Sequence, residues 1–220
     1  MVNTGYDGSA MGGHMPISGE ELELKTSSNE VRNLLHYDML IKHPLEHTWT
    51  VWHWENDRSK DWSDMLNEVT SFNTVEDFFT VYYFIKPPSQ LSDFNDYMVF
   101  KQGVRPMWED DINKDGGRWI IMLDKNTKAM NDKLWQDLLL CSIGECFQHS
   151  NEINGVVINL RKKANKLSLW TKNSANAQAV LYLGQQLKGL LKLTNVEIQY
   201  QAHKDAIVQH GSNFNAMYKL

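Results

Sequence analysis

The sequence predicts an α+β fold, one curved antiparallel sheet with helices packed on one face. Three observations carry this. Short runs of β-branched and aromatic residues recur along the chain, and three longer segments with helical spacing interrupt them. Runs of strands broken by helices, rather than a strict strand–helix alternation, point to α+β architecture. At 220 residues and 42% apolar content, the chain can build one domain with a full core.

Taken in order, residues 1 to about 40 are rich in Gly, Ser, Asn and acidic side chains without periodicity, and read as a disordered N-terminal arm. The folded domain is then expected over 41–220. Thr48–Trp54 alternates as a half-buried strand, with Trp49, Trp52 and Trp54 expected on one face and mostly in the core. Asn56–Asp61 is a charged turn ending at Trp62, which lies among Lys60, Asp61, Ser63 and Asp64. A Trp in such a polar loop is either an anchor for a satellite core or an exposed binding platform, and composition does not choose between them.

Ser71–Lys86 reads as the first helix. Thr74-x-x-Asp77 supplies a capping box, Val75, Phe78, Phe79, Tyr82 and Ile85 recur at helical spacing, and Pro87-Pro88 stops the run. Val75 and Phe79 form a ridge, which is usually core but here is also a candidate partner surface. Tyr97–Phe100 is a short strand. Gly103–Asp111 is a loop carrying Trp108 and Glu109, and Gly116-Gly117 turns the chain into the strand Arg118–Leu123. Asn131–Phe147 is the second helix, with Leu134, Leu138, Cys141 and Phe147 towards the core. Gly155–Leu160 and Lys166–Trp170 are strands joined by the basic connection Arg161–Asn165. Ser174–Leu193 is the third helix, Val196–Tyr200 the last strand, and the remainder a polar tail.

Charge and composition narrow the function. A net charge of −5 argues against broad, non-specific nucleic-acid binding, so any such contact needs a local basic patch. Cys141 and Cys146, five apart in the second helix, are expected on different sides of it, which disfavours a disulfide and suits a reducing compartment. No apolar run approaches the roughly 18 residues of a membrane span, and no signal peptide is visible, so a soluble intracellular protein is expected. No phosphate-cradling G-x-x-x-x-G-K-[ST] loop and no Gly-rich dinucleotide loop occurs. His43 and His47 have helical metal spacing but enclose Pro44, and His149, His203 and His210 are isolated. Neither an enzyme, a metal nor a cofactor is expected.

Chemistry concentrates at Met107-Trp108-Glu109-Asp110 together with Trp62. Two indoles can sandwich a flat cationic base, such as a purine methylated on its imidazole ring. Cation–π attraction reaches about 2 kcal/mol when desolvated, and base stacking adds roughly 1–3 kcal/mol per base. A carboxylate such as Glu109 can accept the two parallel N–H donors of a guanine edge. A Trp-Glu pair taken alone is more often a core Trp beside a surface Glu. Arg118, Arg161 and Lys166 are likewise more often solvated cations than ligands, although the last two flank one connection and project from one sheet end.

The surrounding words are specific: His43-Pro44-Leu45, Thr74-Val75-Glu76-Asp77-Phe78, Arg105-Pro106-Met107-Trp108-Glu109-Asp110, Gly116-Gly117-Arg118-Trp119 and Ile143-Gly144-Glu145, in this order. From about His43 to Leu220 the chain resembles the eukaryotic translation initiation factor 4E family, proteins that bind the 7-methylguanosine cap of mRNA. The resemblance implies a curved antiparallel sheet backed on its convex face by three long helices. It implies that Trp62 and Trp108 stack on the base, Glu109 reads it, and Trp170 lies against the methyl group. Arg118, Arg161 and Lys166 match positions that hold the triphosphate.

The resemblance also implies a monomeric cytoplasmic protein, with nucleus or RNA granules as alternative locations, acting in cap-dependent translation initiation. Its partners would be capped mRNA, the initiation factor 4G scaffold and 4E-binding proteins, the last two through a Tyr-x-x-x-x-Leu-Φ helix. His43, Pro44, Val75, Asp137 and Leu140 match that second surface, but Phe79 stands where the family has Trp and Gln136 where it has Leu. Phe lacks the indole N–H, a loss of about 0.5–1.5 kcal/mol, and burying the Gln amide costs about 1–3 kcal/mol. A paralogue with altered scaffold affinity is expected. The alternative is a repressor that occupies the cap and recruits no ribosome.

Overall fold

Side-chain alternation along the strands gives the sheet two differently used faces. The computed structural model describes residues 41–57, 59, 61–208 and 216–220, and the disorder expected for the N-terminal arm, 1–40, lies outside them. In chain order the strands are β1 (Pro44–Glu55), β2 (Leu66–Thr74), β3 (Asn95–Lys101), β4 (Gly117–Leu123), β5 (Ile153–Asn159), β6 (Asn165–Thr171), β7 (Ile198–Ala202) and β8 (Tyr218–Lys219). They form one eight-stranded sheet in the order β2-β1-β3-β5-β6-β4-β7-β8. Every pairing is antiparallel. The helices are α1 (Val75–Phe84), α2 (Lys128–Ile143), α3 (Ala177–Leu190) and the short α4 (His203–Val208).

One sheet face, with Val51, Val99, Trp119, Ile158 and Leu169, packs with Leu138 of α2 and with Leu183 and Leu187 of α3 in the main core. Burying such side chains contributes about 1.5–3 kcal/mol each. The other face carries a smaller cluster in which Trp54, Met98, Phe100, Val157 and Trp170 pack with the partly buried Trp108. The fold class and the three long helices are as expected.

Several local expectations are corrected. Trp49 does not share a face with Trp52 and Trp54. It precedes Trp52 by three residues, an odd offset in a strand, and joins the helix-side core while the other two join the opposite cluster. The segment 71–74 is the end of β2 and not helix, so α1 begins only at Val75. The Thr74 hydroxyl accepts from the Asp77 N–H at 3.2 Å and donates to the Asp77 carboxylate at 2.7 Å, which fixes that boundary. β2 went unread because it is an edge strand with Leu66 and Phe72 as its buried apolar residues, leaving little alternation. The polar tail contains α4 and β8, with 209–215 outside the described residues.

Cys141 and Cys146 are not separated by the helix either. α2 ends at Ile143, and Glu145 at φ 54° turns the chain back. The Cys146 N–H therefore bonds the Cys141 carbonyl at 2.9 Å, and both thiols are free. Burial, with Cys146 adding to it, pushes the Cys141 thiol up to about 11.

Candidate functional site

The site stands on the sheet face turned away from the main core. Directly paired residues of antiparallel strands share a face, so the register aligns its floor. Arg118 lies opposite both Trp170 and Gln201, Trp170 opposite Gly155, and Gly155 opposite Phe100. A Cβ at Gly155 would lie 2.4 Å from the Phe100 ring. The glycine thus lets Phe100 reach Trp170, which it meets edge-on at 5.2 Å. Two residues along, the next rows bring Met98 and Val157, then Asp96, Asn159 and Lys166, to the same face. Of these, Arg118, Trp170, Met98, Val157, Asp96, Asn159 and Lys166, with the loop carrying Trp108 and Glu109, line an open cavity of about 440 Å³.

Six of the seven residues proposed from the sequence for the base and phosphates line that cavity: Trp108, Glu109, Trp170, Arg118, Arg161 and Lys166. The seventh, Trp62, opens the 3-10 turn Trp62–Met65, and its side chain lies outside the described residues. Glu109 is exposed and Trp108 half-buried, whereas Trp170 is buried between Phe100 and His203, whose ring centroid lies 4.3 Å from its own.

The cations are mutually close. Arg118 donates to the Gln201 side-chain oxygen at 3.0 Å, and its guanidinium lies 5.0 Å from the Trp108 ring centre. Burial, then the nearby Arg161 charge, draws its pKa down to about 10, so it stays protonated at neutral pH. Lys166 is lowered by burial and then by Arg118 and Arg161. Three cations held this near one another gain from a dense anion between them. Arg161, however, is not free: it forks onto Asp96, with one Nη–Oδ contact at 2.9 Å, while Asn159 donates to the same carboxylate at 2.8 Å.

Sequence reasoning missed Asp96, Asn159, Met98, Val157 and the packing residue His203. A signal existed for Asp96, a carboxylate inside a run of strand residues. Buried carboxylates are nearly always partnered.

The second set of residues lies on and around α1 and α2. His43 donates its backbone N–H to Glu76 at 2.9 Å and places its ring 2.7 Å from the other Glu76 oxygen. The Val75 N–H bonds the His43 carbonyl at 2.9 Å, and Pro44 pairs with Thr74, so His43, Pro44 and Val75 form one corner. Phe79 stacks on Tyr83, with centroids 5.8 Å apart at 19°, and Tyr83 is 74% exposed, a neighbour the sequence reading did not single out. On α2, Gln136, Asp137 and Leu140 are partly exposed, and Lys133 forms an ion pair with Asp137.

Residues 44–218 match the family model described as Eukaryotic initiation factor 4E. The chain belongs to the eukaryotic initiation factor 4E family. It is 54% identical to eukaryotic translation initiation factor 4E1 of Drosophila melanogaster over 182 residues, covering 82% of this chain and 70% of that protein. It is 43% identical to eukaryotic translation initiation factor 4E of Homo sapiens over 201 residues, 90% of each. Among solved structures, Ascaris suum eIF4E-3 in complex with the m7G cap aligns with TM-score 0.76 and 40% identity over 82% of this chain and 98% of that one. A schistosome eIF4E complexed with m7GpppG and 4E-BP aligns with TM-score 0.77 and 30% identity over 82% and 100%. The initiation factor 4E family is one of binding factors and not of enzymes.

Proposed function

We propose that this chain binds the 7-methylguanosine cap of mRNA and acts in cap-dependent translation initiation in the cytoplasm. The observation that carries the reading is the gathering of Trp108, Glu109 and Trp170 with Arg118, Arg161 and Lys166 around one cavity of about 440 Å³. Aromatic faces and a carboxylate suit a cationic guanine, and clustered cations suit a triphosphate. In this reading the base stacks on the face of Trp108 that Arg118 leaves uncovered, and Trp62 is the proposed second indole. The solved relatives in complex with cap analogues and a 4E-binding protein support the same reading and extend it to such partners.

Fluorescence titration with 7-methyl-GTP and with GTP tests it. Trp62→Ala and Trp108→Ala should each weaken 7-methyl-GTP binding by about 1–3 kcal/mol. Glu109→Gln should also reduce the preference for the methylated base, since it removes the charge facing the cationic ring. Equal affinity of the wild type for the two nucleotides would refute cap recognition.

A second reading, a cap-occupying repressor, draws on Phe79 and Gln136, which stand on the α1 and α2 surface in place of the family's Trp and Leu. Capture of the 4G scaffold from lysate on cap resin separates the two: the initiation factor retains it, the repressor does not.

A further inference from the structure

The loop that carries Trp108 and Glu109 has no regular secondary structure, yet it must hold an indole and a carboxylate in fixed places. Asn113 is fully buried beneath it. Its amide nitrogen donates to the carbonyl of Arg105 at 2.7 Å and to that of Met107 at 3.0 Å. Its amide oxygen accepts from the Asn154 side chain at 2.9 Å. The backbone N–H donates to Asp110 at 2.9 Å, and the carbonyl accepts from Gly116 at 2.8 Å. His203 Nδ1 lies 2.8 Å from the same carbonyl, which can only accept, so the ring carries its proton there. Every polar group of Asn113 is used, and the carbonyls it grips belong to Met107, next to Trp108, and to Arg105, two residues before Met107.

Asn154 explains how the sheet reaches this loop. It falls where the β5–β6 register shifts, between Ile153 opposite Thr171 and Gly155 opposite Trp170. A bulge turns a side chain away from the alternation of its strand, and here the amide donates to the Asn113 oxygen and, at 3.3 Å, to the Ile112 carbonyl. The residue is 4% exposed. The strand that supplies Gly155 under Trp170 thus also supplies the anchor of the opposite wall.

We propose that Asn113, held by the bulged Asn154, is the positioning residue that sets Trp108 and Glu109 for reading the base. The role rests on the cap-binding reading. It requires an amide: two N–H donors face two carbonyls while one oxygen accepts, a pattern neither Asp nor Ala reproduces. Of the proposed phosphate residues, Arg161 and Lys166 stand on the β5–β6 hairpin and make no hydrogen bond to Asn113.

The test is the affinity ratio of 7-methyl-GTP to GTP, measured on the full chain with Asn113→Ala, Asn154→Ala and, as a destabilised control in the opposite core, Leu183→Ala. Loss of the latch should weaken 7-methyl-GTP about tenfold and GTP less than about threefold, so the ratio falls. Asn154→Ala, which removes one anchor only, should move the ratio the same way by less. Leu183→Ala should lower the thermal midpoint and leave the ratio unchanged. Hydrogen exchange should quicken over 105–113 in both Asn variants. Should Asn113→Ala fail to fold, the Asn154→Ala ratio decides. A folded variant with wild-type ratio overturns the positioning role, and so does a Leu183→Ala ratio that falls equally. A wild type that does not prefer 7-methyl-GTP overturns the cap reading itself, an outcome visible before any variant is made.

Discussion

Arg161 shows why a cation near a phosphate site cannot be tested by deletion alone. Its fork holds Asp96, which is 5% exposed at its side chain, while Arg161 itself is 34% exposed. Arg161→Ala therefore removes a proposed phosphate ligand and also strips a buried carboxylate of its charged partner. The second loss costs about 1–3 kcal/mol, less than for a fully buried pair because solvent reaches Arg161. Combining Arg161→Ala with Asp96→Asn should recover the urea midpoint, since Asn leaves no unpaired charge, but should not recover triphosphate affinity. The preference for the methylated base should survive, and the salt dependence of binding should flatten. If the double variant regains both stability and affinity, Arg161 acts through the fold and makes no phosphate contact.

At the scale of the element, α1 is a ridge with two ends. Its start is set by Thr74 and tied to β1 through the Val75 N–H on the His43 carbonyl. Along it, Val75, Phe79 and Tyr83 succeed one another four residues apart, and the Phe79 and Tyr83 rings stack. Phe79→Trp with Gln136→Leu should raise affinity for a Tyr-x-x-x-x-Leu-Φ peptide, because the indole restores a donor and Leu removes an amide that must be desolvated. The gain should be about tenfold or less for each change. Calorimetry on the wild type, both single variants and the double variant gives the gain and the coupling. Cap affinity should not move, since the cavity lies on the opposite sheet face. A wild type that already binds as tightly as the double variant would make both positions neutral.

For the whole molecule, His203 links the site to acid stability. Burial foremost, and then the Arg118 charge, holds its pKa down at about 4 against 6.5 for a free imidazole. Between those values the unfolded chain binds a proton that the folded chain refuses. The contribution is complete above the higher value and is lost as pH falls towards the lower one. Unfolding free energy should therefore be about 2 kcal/mol smaller at pH 5 than at pH 7 from this group alone. His203→Gln should flatten that limb, as measured by urea unfolding at the two pH values. An unchanged slope would mean that the folded imidazole titrates normally.

Much of the architecture was legible because each part reported on itself. The central strands are short runs of β-branched and aromatic residues, Thr74 and Asp77 cap a helix three residues apart, and the words around Trp108 and Arg118 carry a family resemblance that named half of the cavity lining. The errors fell where local pattern is weak or phase matters: the edge strand β2, the odd offset between Trp49 and Trp52, and the turn that returns Cys146 to Cys141. The contacts that organise the site are of another kind. Asn113 meets Asn154 across 41 positions, Arg161 meets Asp96 across 65, and His203 meets Asn113 across 90. Sequence spacing determined which residues could share a strand face or a helix ridge, because a backbone period acts within one element. Only the tertiary structure decided which buried polar group satisfies which, because desolvated donors and acceptors take whatever partner the packed sheet brings within 3 Å or so, however far apart in the chain.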